Sequence, residues 1–212
     1  MKFRTLVFDL DGTLVDSSAS ILSGFSYALE PFGIQVTSHE LEVMRSMTSQ
    51  ELFRNYLSET DAQLALNRLW NYSLRSASET LLYPGIKPLL DKLFRENVDL
   101  ALWTARDRAS ALKILQIHGL DQYFKVMVGG CSVKKNKPHP EGLQLIARTL
   151  NVPVESILHI GDHEHDLSGA KAVGATAIHA QWCMEKNSYS YFTPPDFSFQ
   201  TVGDFAVWLS QV

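Results

Sequence analysis

The stretch Phe3-Arg4-Thr5-Leu6-Val7-Phe8-Asp9-Leu10-Asp11-Gly12-Thr13 decides how the rest of the chain is read. Its first half is a short apolar, β-branched run and its second half a polar turn, the pattern of a buried strand emptying into a loop. Asp9 and Asp11 lie two apart, so on an extended exit their side chains share one face. Carboxylates that close repel, and one keeps a proton unless a cation is present. Gly12 permits a tight bend, and Thr13 can cap or hydrogen-bond the turn. An ordinary Asp-Gly turn with solvent-facing acids accounts for the same residues, so the choice rests on the remainder of the chain.

Outward from this turn, residues from about Ser17 to Leu82 carry apolar side chains at helical spacing (Ile21, Phe25, Leu29; Leu52, Tyr56; Leu66, Leu69) and no convincing strand. They read as an all-helical insertion, 17–82, closed by the breakers Tyr83-Pro84-Gly85. Strand-like and helix-like segments then alternate: Val98 to Trp103, Ala109 to His118, Lys125 to Val128, Pro140 to Leu150, Ile157 to Ile160, Leu167 to Val173 and Thr176 to His179. That rhythm predicts an α/β fold, a doubly wound parallel sheet built from 1–16 and 83–212, with its ligand site at the carboxyl ends of the strands. Pro194-Pro195 and then Val202 to Leu209 read as a loop and a closing helix.

The polar turns therefore mark the site. Gly161-Asp162-His163-Glu164-His165-Asp166 supplies two more acids four apart at a helix start, where capping alone explains one of them. Four aspartates converging on one sheet end call for a hard cation, and an all-oxygen set with room for water favours Mg²⁺ over zinc. His159 lies in a predicted strand and His163 and His165 are expected to diverge on a helix, so the histidines read as rim residues rather than metal ligands. Lys137, before Pro138, is a charge partner for the acids, whereas Lys134 and Lys135 read as a solvated loop. Thr104 offers a hydroxyl and nearby N–H groups to an anionic oxygen, or else caps the next helix.

Composition sets bounds on the function. The chain has 212 residues, 45% hydrophobic and 20% charged, which excludes disorder and collagen. At roughly 150 residues per domain, a main domain with a modest insertion fits. A net charge of −4 without a block of like charges gives no footprint for nucleic acid or an anionic membrane. Cys131 and Cys183 have neither disulfide-framework nor zinc-knuckle spacing. With no signal h-region and no run of ~18 apolar residues, a cytoplasmic location is expected. Monomer is the default without a coiled-coil seam.

Asp9-Leu10-Asp11-Gly12-Thr13-Leu14-Val15-Asp16-Ser17 resembles the first motif of the haloacid dehalogenase superfamily in its phosphatase form. Thr104 is similar to the second motif, Lys137-Pro138 to the third and Gly161-Asp162-xxx-Asp166 to the fourth, in order over nearly the whole chain. The helical insertion resembles that family's cap, and Tyr83-Pro84-Gly85 and Gly119-Leu120-xx-Tyr123-Phe124 resemble its phosphoglycolate phosphatase and β-phosphoglucomutase-like branch.

The resemblance implies that Asp9 attacks phosphorus to form an aspartyl phosphate. It implies that Asp11, kept protonated by its acidic neighbours, protonates the leaving alcohol and then activates water. Mg²⁺ would be held by the Asp9 carboxylate, the Asp11 carbonyl and Asp162, with Asp166 orienting metal-bound water or Lys137. Thr104, the Ala105 N–H and Lys137 would grip the phosphate, with Arg106 extending to substrate or to solvent. The chain departs from the pattern at Ser46, in Arg45-Ser46-Met47-Thr48, and at Ala105-Arg106. Neither departure removes a catalytic group. A phosphomutase shares all four motifs and a catalytically silent regulatory module shares the fold. Asp11 argues against a dehalogenase, and the small phosphorylated metabolite that the resemblance implies as partner is left open among phosphoglycolate, sugar phosphates and nucleotides.

Overall fold

A computed structural model of the chain describes residues 3–37, 48–183 and 192–212. The opening run forms β1 (Thr5–Phe8), buried along its whole length. It lies between β4 (Asp99–Trp103) and β6 (Ile157–Gly161), paired parallel to both, with Val7 opposite Ala101 on one side and His159 on the other. A parallel strand covered on both faces needs a continuous apolar run rather than alternation, and Leu6-Val7-Phe8 supplies it. β5 (Val126–Val128), β7 (Thr176–Ala180) and β8 (Phe197–Phe199) complete a six-stranded parallel sheet in the order β5-β4-β1-β6-β7-β8. The chain leaves β1 toward β4 on one side and reaches β6 on the other. The strand order therefore reverses at β1, and a crevice opens at its carboxyl end.

Helices cover the sheet because their apolar residues recur every three or four positions. In α4 (Ile86–Arg95) Ile86, Leu89, Leu90 and Leu93 are all buried. α5 (Arg108–Ile117) starts at Asp107, whose carboxylate accepts from the Ser110 N–H at 2.9 Å. Asp107, not Thr104, is thus the cap of that helix. α6 (Glu141–Leu150) stops at Asn151 in the left-handed region, φ 56°. α7 (Glu164–Lys171) and α8 (Val202–Leu209) complete the layers.

The chain divides into two compact units, 1–16 with 81–212 and 17–80. The second contains α1 (Ser18–Leu29), α2 (Ser49–Tyr56) and α3 (Glu59–Arg75) around Phe25, Leu29, Leu52, Phe53, Leu66 and Leu69. Phe25 and Phe53 meet edge to face at 5.8 Å, and a capping box of Thr48 with Glu51 starts α2. The inserted segment ends two residues earlier than its apolar spacing predicts. β3 (Leu81–Leu82) pairs antiparallel with β2 (Val15–Asp16), and backbone pairing ties Leu81 and Leu82 to the first unit. Ser46 lies outside the described residues. No helix among those described is long and apolar enough to cross a membrane.

Candidate active site

Asp9 directly follows β1, and its N–H donates to the Ile160 carbonyl at 2.8 Å, extending the ladder by one step. The carboxylate is thereby delivered to the sheet end, 6% exposed. Asp162 follows β6, the neighbouring strand, and Asp166 lies in the first turn of α7. Carboxylate oxygens of Asp9, Asp162 and Asp166 lie within 4.8 Å of one another, and all three residues are buried. Lys137, from the loop before α6, sends Nζ between two of them: 2.6 Å from Asp9 Oδ1 and 2.6 Å from Asp166 Oδ1. The Lys137–Pro138 bond is cis.

This cluster is charged yet out of water, so each group bends the titration of the others. Burial drives the Asp9 pKa well above the ordinary carboxylate range; Lys137 opposes that, while Asp166, Asp162 and Asp11 add to it. Burial works against the charges of Asp166 and Lys137 as well. There the ion pair wins: Asp166 is held below its ordinary value, chiefly by Lys137, and Lys137 above its own by Asp166 and Asp9. Three acids against one lysine leave an excess of buried negative charge.

Gly12 explains how the acids fit. It has φ +75°, and a Cβ there would lie 2.2 Å from Asp162 Oδ2. The glycine makes the turn and also leaves the room that the Asp162 carboxylate occupies. The donor set is all oxygen, and together with the charge excess it suits a hard divalent cation held by Asp9 and Asp162. Both oxygens of Asp166 are engaged, Oδ1 by Lys137 and Oδ2 by the His163 N–H at 3.1 Å.

Asp11 stands apart from the other acids. Its carboxylate is gripped by Arg106, with Nε 3.0 Å from Oδ2 and Nη2 2.7 Å from Oδ1. The expectation that acidic neighbours keep Asp11 protonated is corrected by this pairing, because a two-point guanidinium fork fits an ionised carboxylate. Arg106 is accordingly packed against Asp11 rather than solvated; burial opposes its charge, and Asp11 more than restores it. Thr104, 2% exposed, accepts from the Arg106 N–H through Oγ1 at 3.1 Å, and Ala105 is exposed between them. The backbone N–H groups of the exposed Lys134 and Lys135 donate to the Glu141 carboxylate at the start of α6.

The histidines differ from their sequence reading in two respects. His159 is 1% exposed inside β6 rather than on the rim of the site. His163 is extended and caps α7 instead of lying within it, so its ring meets that of His165 at 4.7 Å. Three residues near the site were not marked by motif spacing. His159 contacts Asp166 from β6; His179 on β7 sits 3.0 Å from the Asp162 carbonyl; and Trp103, just before Thr104, lies under Lys137. A polar His within an otherwise apolar strand, as in Ile157-Leu158-His159-Ile160, is the signal that points to the first.

Residues 6–180 match the family model described as haloacid dehalogenase-like hydrolase. The chain is 26% identical over 206 residues to Pyrophosphatase PpaX of Oceanobacillus iheyensis, covering 96% of this chain and 95% of that protein. Its fold is similar to that of a predicted phosphoglycolate phosphatase from Haemophilus somnus (TM-score 0.86, 24% identity, 100% and 99% covered). It is also similar to that of CbbY from Rhodobacter sphaeroides crystallised with phosphate (TM-score 0.84, 20% identity, 94% and 94% covered).

Proposed function

The chain belongs to the haloacid dehalogenase-like hydrolases, and from that membership we propose that it is a Mg²⁺-dependent phosphatase of small phosphate monoesters. Phosphoglycolate-like and sugar-phosphate-like esters are the first candidates for its substrate. The observation that carries this reading is the buried line Asp9–Lys137–Asp166, with Asp162 beside it, at the carboxyl end of β1. This cluster supports Asp9 as nucleophile, Lys137 as a fixed positive charge, and Asp9 with Asp162 as ligands for a cation.

An Asp9 oxygen attacks phosphorus as the bond to the leaving oxygen breaks, and the phosphoryl group rests on the Asp9 carboxylate. Asp11, which takes up a proton from solvent when a bond to Arg106 opens, gives that proton to the leaving alcohol, then takes one from the water that attacks phosphorus and frees Asp9. Lys137 stays charged beside Asp9 and offsets the charge on the phosphoryl oxygens, and Asp166 holds it there. Thr104, Ala105 and Arg106 line the turn after β4 and receive the remaining oxygens. Mg²⁺, held by the carboxylates of Asp9 and Asp162 and the Asp11 carbonyl, would supply charge neutralisation for the phosphate and for the buried acids.

The test is phosphate release from p-nitrophenyl phosphate and a metabolite panel that includes phosphoglycolate and β-glucose 1-phosphate, with Mg²⁺ and with chelator. Metal-dependent release supports the reading and ranks the substrates. Glucose 6-phosphate appearing in place of free phosphate identifies a mutase, and no turnover of any ester identifies a silent module.

A further inference from the structure

His159 is 1% exposed on β6, and its ring lies 4.9 Å from that of Trp103. An imidazole buried among apolar side chains must recover its lost hydration from partners. Nδ1 faces the Val7 carbonyl oxygen at 3.0 Å and Nε2 faces Asp166 Oδ1 at 3.2 Å; both oxygens accept, so the neutral ring, with one N–H, donates to Asp166 as the Nε2–H tautomer. Asp166 Oδ1 also accepts from Lys137 Nζ, while Oδ2 accepts from the His163 N–H. The carboxylate is thus pinned at both ends.

The contacts close on themselves. Lys137 Nζ lies 4.7 Å from the centre of the Trp103 ring, Trp103 packs on His159, His159 bonds Asp166, and Asp166 bonds Lys137. The floor of this ring has no slack, since a Cβ at Gly142 would lie 2.0 Å from Trp103 Nε1. Lys137 has two carboxylate partners in the structure, and the proposed reaction takes one of them away when Asp9 becomes phosphorylated. From then on Asp166 is the one carboxylate left on the ammonium, and its orientation rests on His159 at Oδ1 together with the His163 N–H at Oδ2.

Building on the phosphatase reading, we infer that His159 is a positioning residue that aims Lys137 at the transferring phosphoryl group through Asp166. Its effect is greatest when charge develops on phosphorus, so it acts on kcat more than on KM.

The experiment compares wild type, His159→Leu, His159→Met and His159→Gln on p-nitrophenyl phosphate with Mg²⁺, alongside thermal melts. Loss of one charge-assisted bond to Asp166 predicts a kcat for His159→Leu reduced about tenfold or more, with KM changed by less than about threefold. His159→Gln, whose amide can donate to Asp166, recovers much of that loss. If His159→Leu does not fold, His159→Met against His159→Gln makes the same comparison. Equal kcat for the apolar and amide variants, or wild-type kcat with only a lowered Tm, overturns the inference and leaves the phosphatase reading intact. A wild type that turns over no ester defeats the reading beneath it, and the inference with it.

Discussion

Arg106 holds both carboxylate oxygens of Asp11, through Nε to Oδ2 at 3.0 Å and Nη2 to Oδ1 at 2.7 Å. The pair joins the turn after β1 to the turn after β4 across the mouth of the site. For Asp11 to pass a proton to a leaving oxygen, one of these bonds must open. Arg106→Ala removes both from a carboxylate that is largely buried. Breaking a buried pair costs several kcal/mol, and the partial exposure of Asp11 reduces this to about 1–2 kcal/mol. The expected results are a Tm lower by a few degrees and a reduced kcat/KM. Arg106→Lys recovers only part of either, because an ammonium cannot make the planar two-point contact. Thermal melts and steady-state kinetics on the three proteins check this.

Gly12→Ala places a methyl group on Asp162 and forces a side chain into the left-handed region. Asp162 has to move, and divalent-ion binding is expected to weaken with it. Titration calorimetry with Mg²⁺ should show affinity weakened by about tenfold or more. Unaltered affinity would mean that Asp162 does not hold the ion.

The buried ion pair makes stability depend on pH with a fixed sign. Asp166 has a native pKa below its ordinary 3.8, so the folded state binds fewer protons than the unfolded one. Its contribution is complete above that ordinary value and is lost as pH falls toward the native one. Asp166→Asn is therefore expected to melt well below wild type at neutral pH, with the gap closing in acid. Asp9 runs the other way. Its native pKa is raised, so its favourable contribution is complete below 3.8 and is lost as pH rises through the native value. Metal-free Asp9→Asn at neutral pH should melt no lower than wild type. Melting curves from acid to neutral pH measure both.

Much of this was legible in the sequence where one residue type has one job. The apolar run before Asp9 reads as a doubly covered strand because a central parallel strand needs apolar residues on both faces. Alternating segments after Gly85 read as a parallel sheet, and the four polar turns mark its carboxyl end. The two-residue strands β2 and β3 are too short to show a period, which put the end of the helical insertion at Leu82 rather than Thr80. α4 carried its signal in Ile86, Leu89, Leu90 and Leu93, yet fell between the turn and the next strand. The Arg106–Asp11 pair joins residues 95 positions apart in sequence, and no local pattern specifies such a partner. The same holds for the ring of Lys137, Asp166, His159 and Trp103, which only the stacking of four separate segments brings together.

The proposed reaction stands on Asp9 carrying the phosphoryl group. It is tested most directly by acid-quenching wild type and Asp9→Asn during turnover of p-nitrophenyl phosphate with Mg²⁺, locating phosphate on peptides by mass spectrometry and measuring its release. A phosphorylated Asp9 peptide and metal-dependent release are expected in wild type, with neither in a folded Asp9→Asn protein. Release that survives in Asp9→Asn, or phosphate trapped on another residue, would contradict it.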